Sequence, residues 1–302
     1  KVWPNKYGTE GDGYVTYPRN YKPGTKLPVM VVTHGSDAGN RFAYDGFQWE
    51  YPVQVFAEHG YLVLSVNEPA ITPRNRAAMD AWAKLSSNVA ADQMQFAAAY
   101  EAVATMEAAL QWAIDEGLAD PSKAGIAGYS RGSHVVKFVL SQSRLFKAGS
   151  GGDAAWFSAS SYWDGISRNL YLSIFGGSPF DPKSLDNYRK LSPSFRTHDF
   201  SGPLLQEFTV RSAYSGVELD TLLREAGIPT ELVFYLDETH IPWHPKRRAS
   251  SMRLNFDWFN FWLLGSEDAA PEKAAQYARW RAMREKWNAT GDREAPRDHR
   301  GG

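Results

Sequence analysis

Two side chains carry the chemistry that this sequence is able to perform. Ser130 lies in Gly128-Tyr129-Ser130-Arg131-Gly132, a G-x-S-x-G arrangement whose small flanking residues let a tight turn press against neighbouring backbone and push the hydroxyl outward. A serine hydroxyl is a weak nucleophile at neutral pH, so the motif asks for a histidine base to accept its proton. Of the seven histidines, His240 closes the apolar run TELVFYLDETH. In the chain order serine, acid, histidine it is the one preceded by a suitable last strand. His244 is its rival, on a loop between Pro242 and Pro245. His34 follows the first buried strand, within VVTHG, where backbone N–H groups of Gly35 or Ser36 suit an oxyanion donor beside the N–H of Arg131. His59 fits a helix C-terminus, and His134, His198 and His299 read as structural or solvated. The competing reading of Ser130 is a plain cap on the helix that follows it.

The third member of such a triad, a carboxylate that orients the imidazole, is expected in the turn after the strand PLLQEFTV. The turn itself, Arg211 to Gly216, contains no acid. Glu207 lies inside the strand, Glu218 opens the next helix, and Asp237 and Glu238 precede His240. Glu218 ranks first among these alternatives, and a hydrolase without an effective acid would be slow or inactive.

These residues need a scaffold that brings distant strand ends together. LPVMVVTHG (27–35) and YLVLSVNEP (61–69) are β-branched and aliphatic runs of the kind buried on both faces of a mainly parallel sheet. WEYPVQVFAEHG supplies a crossover helix, and residues 88–117 carry helical apolar spacing up to Gly117. KAGIAGYS is the next strand, Arg131 to about Gln142 a helix, and LFKAGSGG a short strand. GPLLQEFTV, GVELDTLLREAG and TELVFYLDETH then repeat the alternation. The pattern is a doubly wound α/β fold. EKAAQYARWRAMREKW predicts a charge-rich C-terminal helix. Between Asp153 and Ser201 the alternation breaks around Trp156, Phe157, Tyr162, Trp163, Tyr171 and Phe175. A stretch of this length reads either as a substrate-facing lid, with Tyr162 and Trp163 presenting flat apolar faces, or as aromatics filling core beneath an extra helix.

Composition removes other functions. The 302 residues hold 33 Lys+Arg against 34 Asp+Glu, and Lys246, Arg247 and Arg248 form the longest basic run, so nucleic acid has little to attract it. Without cysteine there is neither a disulfide nor a thiolate site. No His/Asp/Glu grouping has metal-ligand spacing, and no run is long enough to span a membrane. No cofactor is called for. The expectation is a soluble bacterial protein of the periplasm or cytoplasm.

The layout resembles the catalytic domain of the prolyl oligopeptidase family, through GDGYVTYPRNYKPGTKLPVMVVTHG, GYSRGS and YLDETH. A finer resemblance, to lasso peptide isopeptidases, rests on FQWEYPVQVFAEHGYLVLSVNEP, SASSYWDGISRNLYLSIFGG and NFDWFNFWLLGSEDAAPEKAAQYARWRAMRE. It implies an α/β-hydrolase fold, with a mainly parallel central sheet flanked by helices, that opens the isopeptide bond of a threaded peptide. Residues 1–265 would be the catalytic domain with a lid at 153–201, residues 266–290 a helix packed on it, and 291–302 a flexible tail. Ser130 matches the family nucleophile and His240 the base, while the family's glutamate falls on Ala213, leaving activity in question. The same resemblance implies a β-propeller N-terminal to the catalytic domain, absent from these residues, which would join the chain as a partner alongside the peptide substrate or a second copy. Linear-peptide or ester hydrolysis and peptide binding without catalysis remain the alternatives.

Overall fold

A computed structural model describes residues 1–34, 52–70, 72–85, 93–153, 158–163, 168–209 and 213–289. In chain order the strands are β1 Val2–Pro4, β2 Glu10–Thr16, β3 Leu27–Thr33, β4 Leu62–Val66, β5 Ala119–Tyr129, β6 Ala148–Gly152, β7 Leu204–Thr209 and β8 Thr230–Tyr235. The helices are α1 Val53–Glu58, α2 Pro73–Leu85, α3 Gln93–Asp115, α4 Arg131–Gln142, α5 Ala159–Trp163, α6 Arg168–Phe175, α7 Pro182–Leu191, α8 Ala213–Glu225, α9 Pro245–Phe259 and α10 Ala274–Ala289. A short 3-10 segment, Pro193–Asp199, follows α7.

Among the described residues the strands form one sheet in the order β1-β2-β4-β3-β5-β6-β7-β8. β1/β2 and β2/β4 pair antiparallel, and every pair from β4/β3 to β7/β8 is parallel. This is the α/β-hydrolase arrangement expected from the sequence. The apolar runs are continuous because each strand feeds two cores. Val29, Val31, Leu62, Leu64 and Ile126 face the layer built with α3 and α4. Met30, Val32, Val63 and Ala127 face the layer closed by α1, α9 and α10. Each such side chain is essentially inaccessible, and full burial of a Val or Leu contributes roughly 1.5–3 kcal/mol.

The helix expected over 88–117 is described as Gln93–Asp115, with 88–92 outside the described residues, and α2 precedes it without a strong apolar stripe to announce it. Within the stretch 153–201, read from the sequence either as a lid or as core-filling aromatics, the described residues include α5, α6, α7 and the 3-10 segment. Tyr171, Phe175 and Tyr188 belong to the main core, with the Phe175 and Tyr188 rings stacked 3.8 Å apart. Trp156 and Phe157 lie outside the described residues, as does the tail from 290 onward.

Candidate active site

The carboxyl ends of β5, β6 and β8 converge on one side of the sheet, where open α/β sheets place their ligands. Tyr129 pairs in register with Gly152, so Ser130 and Asp153 each stand one residue beyond that pair. The Ser130 N–H donates to Gly152 O (2.8 Å), and the Asp153 N–H donates to Glu207 O (2.7 Å), continuing the ladder past the strands.

Ser130 sits at φ 53°, ψ −118°, between β5 and the first residue of α4. A non-glycine residue there is strained and must be held by its surroundings. Gly128 and Gly132 hold it. A Cβ on Gly128 would lie 2.4 Å from the Gly132 carbonyl, and one on Gly132 would lie 2.1 Å from Thr33 O in β3. The turn is therefore clamped against neighbouring backbone, and the hydroxyl projects from the strand end.

His240 Nε2 lies 2.9 Å from Ser130 Oγ and His240 Nδ1 lies 2.8 Å from Asp153 Oδ2. Asp153 is almost fully buried, whereas the imidazole is 38% exposed. The Asp153 carboxylate is fixed from its other side. Oδ1 accepts from the Thr209 N–H (2.8 Å) and hydroxyl (2.9 Å), and Oδ2 also lies 2.9 Å from that hydroxyl. Tyr129 donates its hydroxyl hydrogen to His240 O, anchoring the loop that carries that imidazole. That loop is also pinned by Glu238, which accepts from the N–H groups of Trp243 (2.9 Å) and His244 (3.3 Å) and pairs with His244 Nδ1 at 2.7 Å.

The carboxylate at His240 is thus Asp153, and the candidates expected from the sequence lie elsewhere. Glu218 accepts the N–H groups of Ala159 (3.1 Å) and Ser160 (2.5 Å), anchoring α5. Asp237 pairs with Arg247. His244 is held by Glu238, away from Ser130. Ala213 is the first residue of α8 and brings no polar side chain. The signal that could have found Asp153 was present: an acid directly after the strand AGSGG, between serine and histidine in the chain. Its partner strand β7 and the turn after it attract attention because only the lateral order of the strands places Asp153 beside His240.

Glu207 is buried beneath the site. It accepts from Tyr235 Oη (2.7 Å), Ser251 Oγ (3.0 Å) and Asn255 Nδ2 (2.6 Å). Burial raises its carboxyl above the ordinary range despite those hydrogen bonds. A carboxyl raised by folding adds stability at low pH, and this contribution is lost as pH rises through the raised value. Urea unfolding of wild type and Glu207→Gln should therefore show the wild type losing ground relative to the variant as the pH rises above the ordinary carboxyl range. The opposite slope would show that the hydrogen bonds outweigh burial.

Arg131, between Ser130 and Gly132, forms a two-pronged ion pair with the buried Glu68, two residues past β4, with Nη2 to Oε2 at 2.8 Å and Nε to Oε1 at 3.1 Å. Burial acts to lower the Arg131 guanidinium, but the Glu68 charge and hydrogen bonds outweigh it and raise it. The pair ties the first residue of α4 to the segment after β4, across β3 from the strand that leads into α4, fixing the backbone N–H of Arg131 among the free donors of the helix start. Gly35 lies outside the described residues. Tyr162 is half-buried, with its hydroxyl 3.3 Å from Arg168 Nη2 and the guanidinium 5.2 Å over its ring. Trp163 ends α5, and its side chain is outside the described set. Among the described residues no group of His, Asp and Glu could hold a metal ion, and no helix is long and apolar enough to cross a membrane.

Comparison with known proteins agrees with this geometry. The chain is 28% identical over 281 residues, 93% of its length, to the lasso peptide isopeptidase AtxE2 of Asticcacaulis excentricus. The structure of AtxE2 isopeptidase in its apo form superposes with a TM-score of 0.76 at 27% identity over 95% of this chain. A serine-to-alanine variant of AtxE2 with Astexin3-dC4 bound superposes with the same TM-score of 0.76, at 25% identity and 95% coverage. The chain spans 39% of the curated AtxE2 sequence and 43% of each of the two solved chains. Residues 47–266 match the profile of the prolyl oligopeptidase family, and with a serine, histidine and carboxylate gathered at the strand ends that this fold reserves for chemistry, the chain belongs to that family.

Proposed function

We propose that this chain is the catalytic part of a serine isopeptidase that opens the macrolactam ring of a lasso peptide. The observation that carries the reading is the continuous relay Ser130 Oγ, His240 Nε2, His240 Nδ1, Asp153 Oδ2, with both links under 3 Å, in a chain similar to a protein named as a lasso peptide isopeptidase. The Ser130 hydroxyl donates to Nε2 while Nδ1–H donates to Asp153, the tautomer that a general base requires. Ser130 Oγ attacks the isopeptide carbonyl as His240 takes its proton. The oxyanion is held by the Arg131 N–H together with a donor from the Gly35 loop. His240 then protonates the departing amine, which is the peptide's own N-terminus, and leaves an ester on Ser130. A water molecule, deprotonated by His240, hydrolyses that ester and regenerates the hydroxyl. The peptide gains one water and its ring is opened. Tyr162 and Trp163 would contact the threaded peptide from α5.

Mass spectrometry tests this directly. A threaded lasso peptide incubated with the chain should gain the mass of one water, and Ser130→Ala should abolish the gain. Cleavage of linear peptides or p-nitrophenyl esters with the threaded peptide left intact would replace this reading with an ordinary serine peptidase. Binding without cleavage, and without labelling by a fluorophosphonate, would replace it with a binding protein.

A further inference from the structure

Helix α4 carries a lysine where a purely structural residue would be apolar. Ser133 and Lys137, one helical turn apart, share the face that lies on β6. The Cβ position of Gly151 is 2.7 Å from Ser133 Oγ and 3.3 Å from Lys137 Cε. Lys137 is 1% exposed, and its Nζ stands 4.6 Å from the centroid of the Phe208 ring on β7. The ammonium therefore lies beneath the ends of β6 and β7, where Asp153 is fastened to Thr209. Burying an ammonium is costly, and methionine would fill the same volume without that cost.

The charge felt at Lys137 is that of Asp153. Other charged or titratable groups also lie on α4 and on the elements packed around it. On β7, Glu207 is held by Tyr235, Ser251 and Asn255. In the 3-10 segment, Arg196 pairs with Asp199. Glu101 of α3 is buried. On α4 itself, His134 stacks on Phe138.

Resting on the triad described above, we propose that Lys137 is a positioning residue. Its buried ammonium counterbalances the Asp153 carboxylate and so keeps the His240 imidazole neutral, ready to accept the Ser130 proton. An uncompensated carboxylate at Nδ1 favours the imidazolium, which cannot act as base, and a nearby cation opposes that preference. Burial lowers Lys137 to about 7, against the pull of Asp153. The ammonium is thus present on the acidic side of neutrality and is lost on the basic side.

The pH profile of kcat/KM on a p-nitrophenyl ester is the test. Lys137→Met should move the acidic limb up by roughly half to one pH unit and leave the alkaline plateau within about twofold. Lys137→Arg should keep the wild-type limb. A merely structural role would lower the plateau or the melting temperature and leave the limb in place, and an unmoved limb in folded Lys137→Met overturns the proposal. Wild-type protein gives a second reading even if the variants do not fold. By NMR, the His240 ring should show a second inflection that coincides with titration of the Lys137 side chain near neutrality. A single His240 step, with Lys137 titrating in the ordinary lysine range, overturns it as well. Absence of ester turnover in wild type would instead count against the triad reading, and the NMR titration would still decide the coupling.

Discussion

Asp153→Asn is expected to lower kcat/KM by about three to four orders of magnitude, with the fold and the melting temperature nearly unchanged. The reason lies in how Asp153 is held. Its Oδ1 takes both donors of Thr209, so an asparagine would keep its carbonyl oxygen there and turn its amide nitrogen toward His240. That nitrogen donates. It would make Nδ1 the acceptor and drive the imidazole proton to Nε2, the atom that must be free to take the Ser130 proton. Ala213→Glu in the otherwise wild-type chain should change the rate by less than about twofold. Neutral imidazole has a single N–H, and Asp153 already accepts it. A gain of more than about tenfold from Ala213→Glu, or near-wild-type activity of Asp153→Asn, would move the working acid back to the turn after β7.

The acid's placement also shows what the sequence makes legible. Ser130 is legible because its constraint is local: two glycines within five residues, an apolar strand before and an amphipathic helix after. The α4 helix runs from Arg131 to Gln142, as that pattern predicts. His240 is legible because it ends the last strand. Asp153 depends on a fact that the sequence does not display, the lateral order of the strands. β6 lies directly between β5 and β7, so an acid just past its end stands beside both Ser130 and Thr209. The strand that delivers it, AGSGG, has no β-branched residue, because its faces are filled by α4 and by Tyr129, whose ring lies 2.3 Å from the Cβ position of Gly152. Such a strand scores poorly on propensity and is fixed by tertiary contact alone. The aromatics of 158–199 were ambiguous for a related reason. Tyr171 and Phe175 fit either a lid or a core in one dimension, and both belong to the main core beside α3 and α4.

The second large effect is expected at Gly132, where the active-site turn and the core of the sheet meet. A methyl group there would fall 2.1 Å from Thr33 O and 2.8 Å from Thr33 C, a contact that no rotamer relieves because the obstacle is backbone. β3 cannot retreat. It is paired to β4 on one side and β5 on the other, and its side chains from Val29 to Val32 are fully buried. Relief must come from α4, which would lift from the sheet and carry Ser130 with it. Gly132→Ala is therefore expected to cost about 3 kcal/mol or more, a fall in melting temperature of roughly 6 °C or more. Reaction of Ser130 with a fluorophosphonate should fall by at least about tenfold in the fraction that still folds, since a displaced hydroxyl loses its alignment with His240. Gly117→Ala is the control. It has a positive φ of 70° but open space around its Cβ position, so it should cost only about 1 kcal/mol and leave labelling intact. Equal effects at the two positions would mean that backbone conformation alone, rather than the close approach of α4 to β3, fixes the nucleophile.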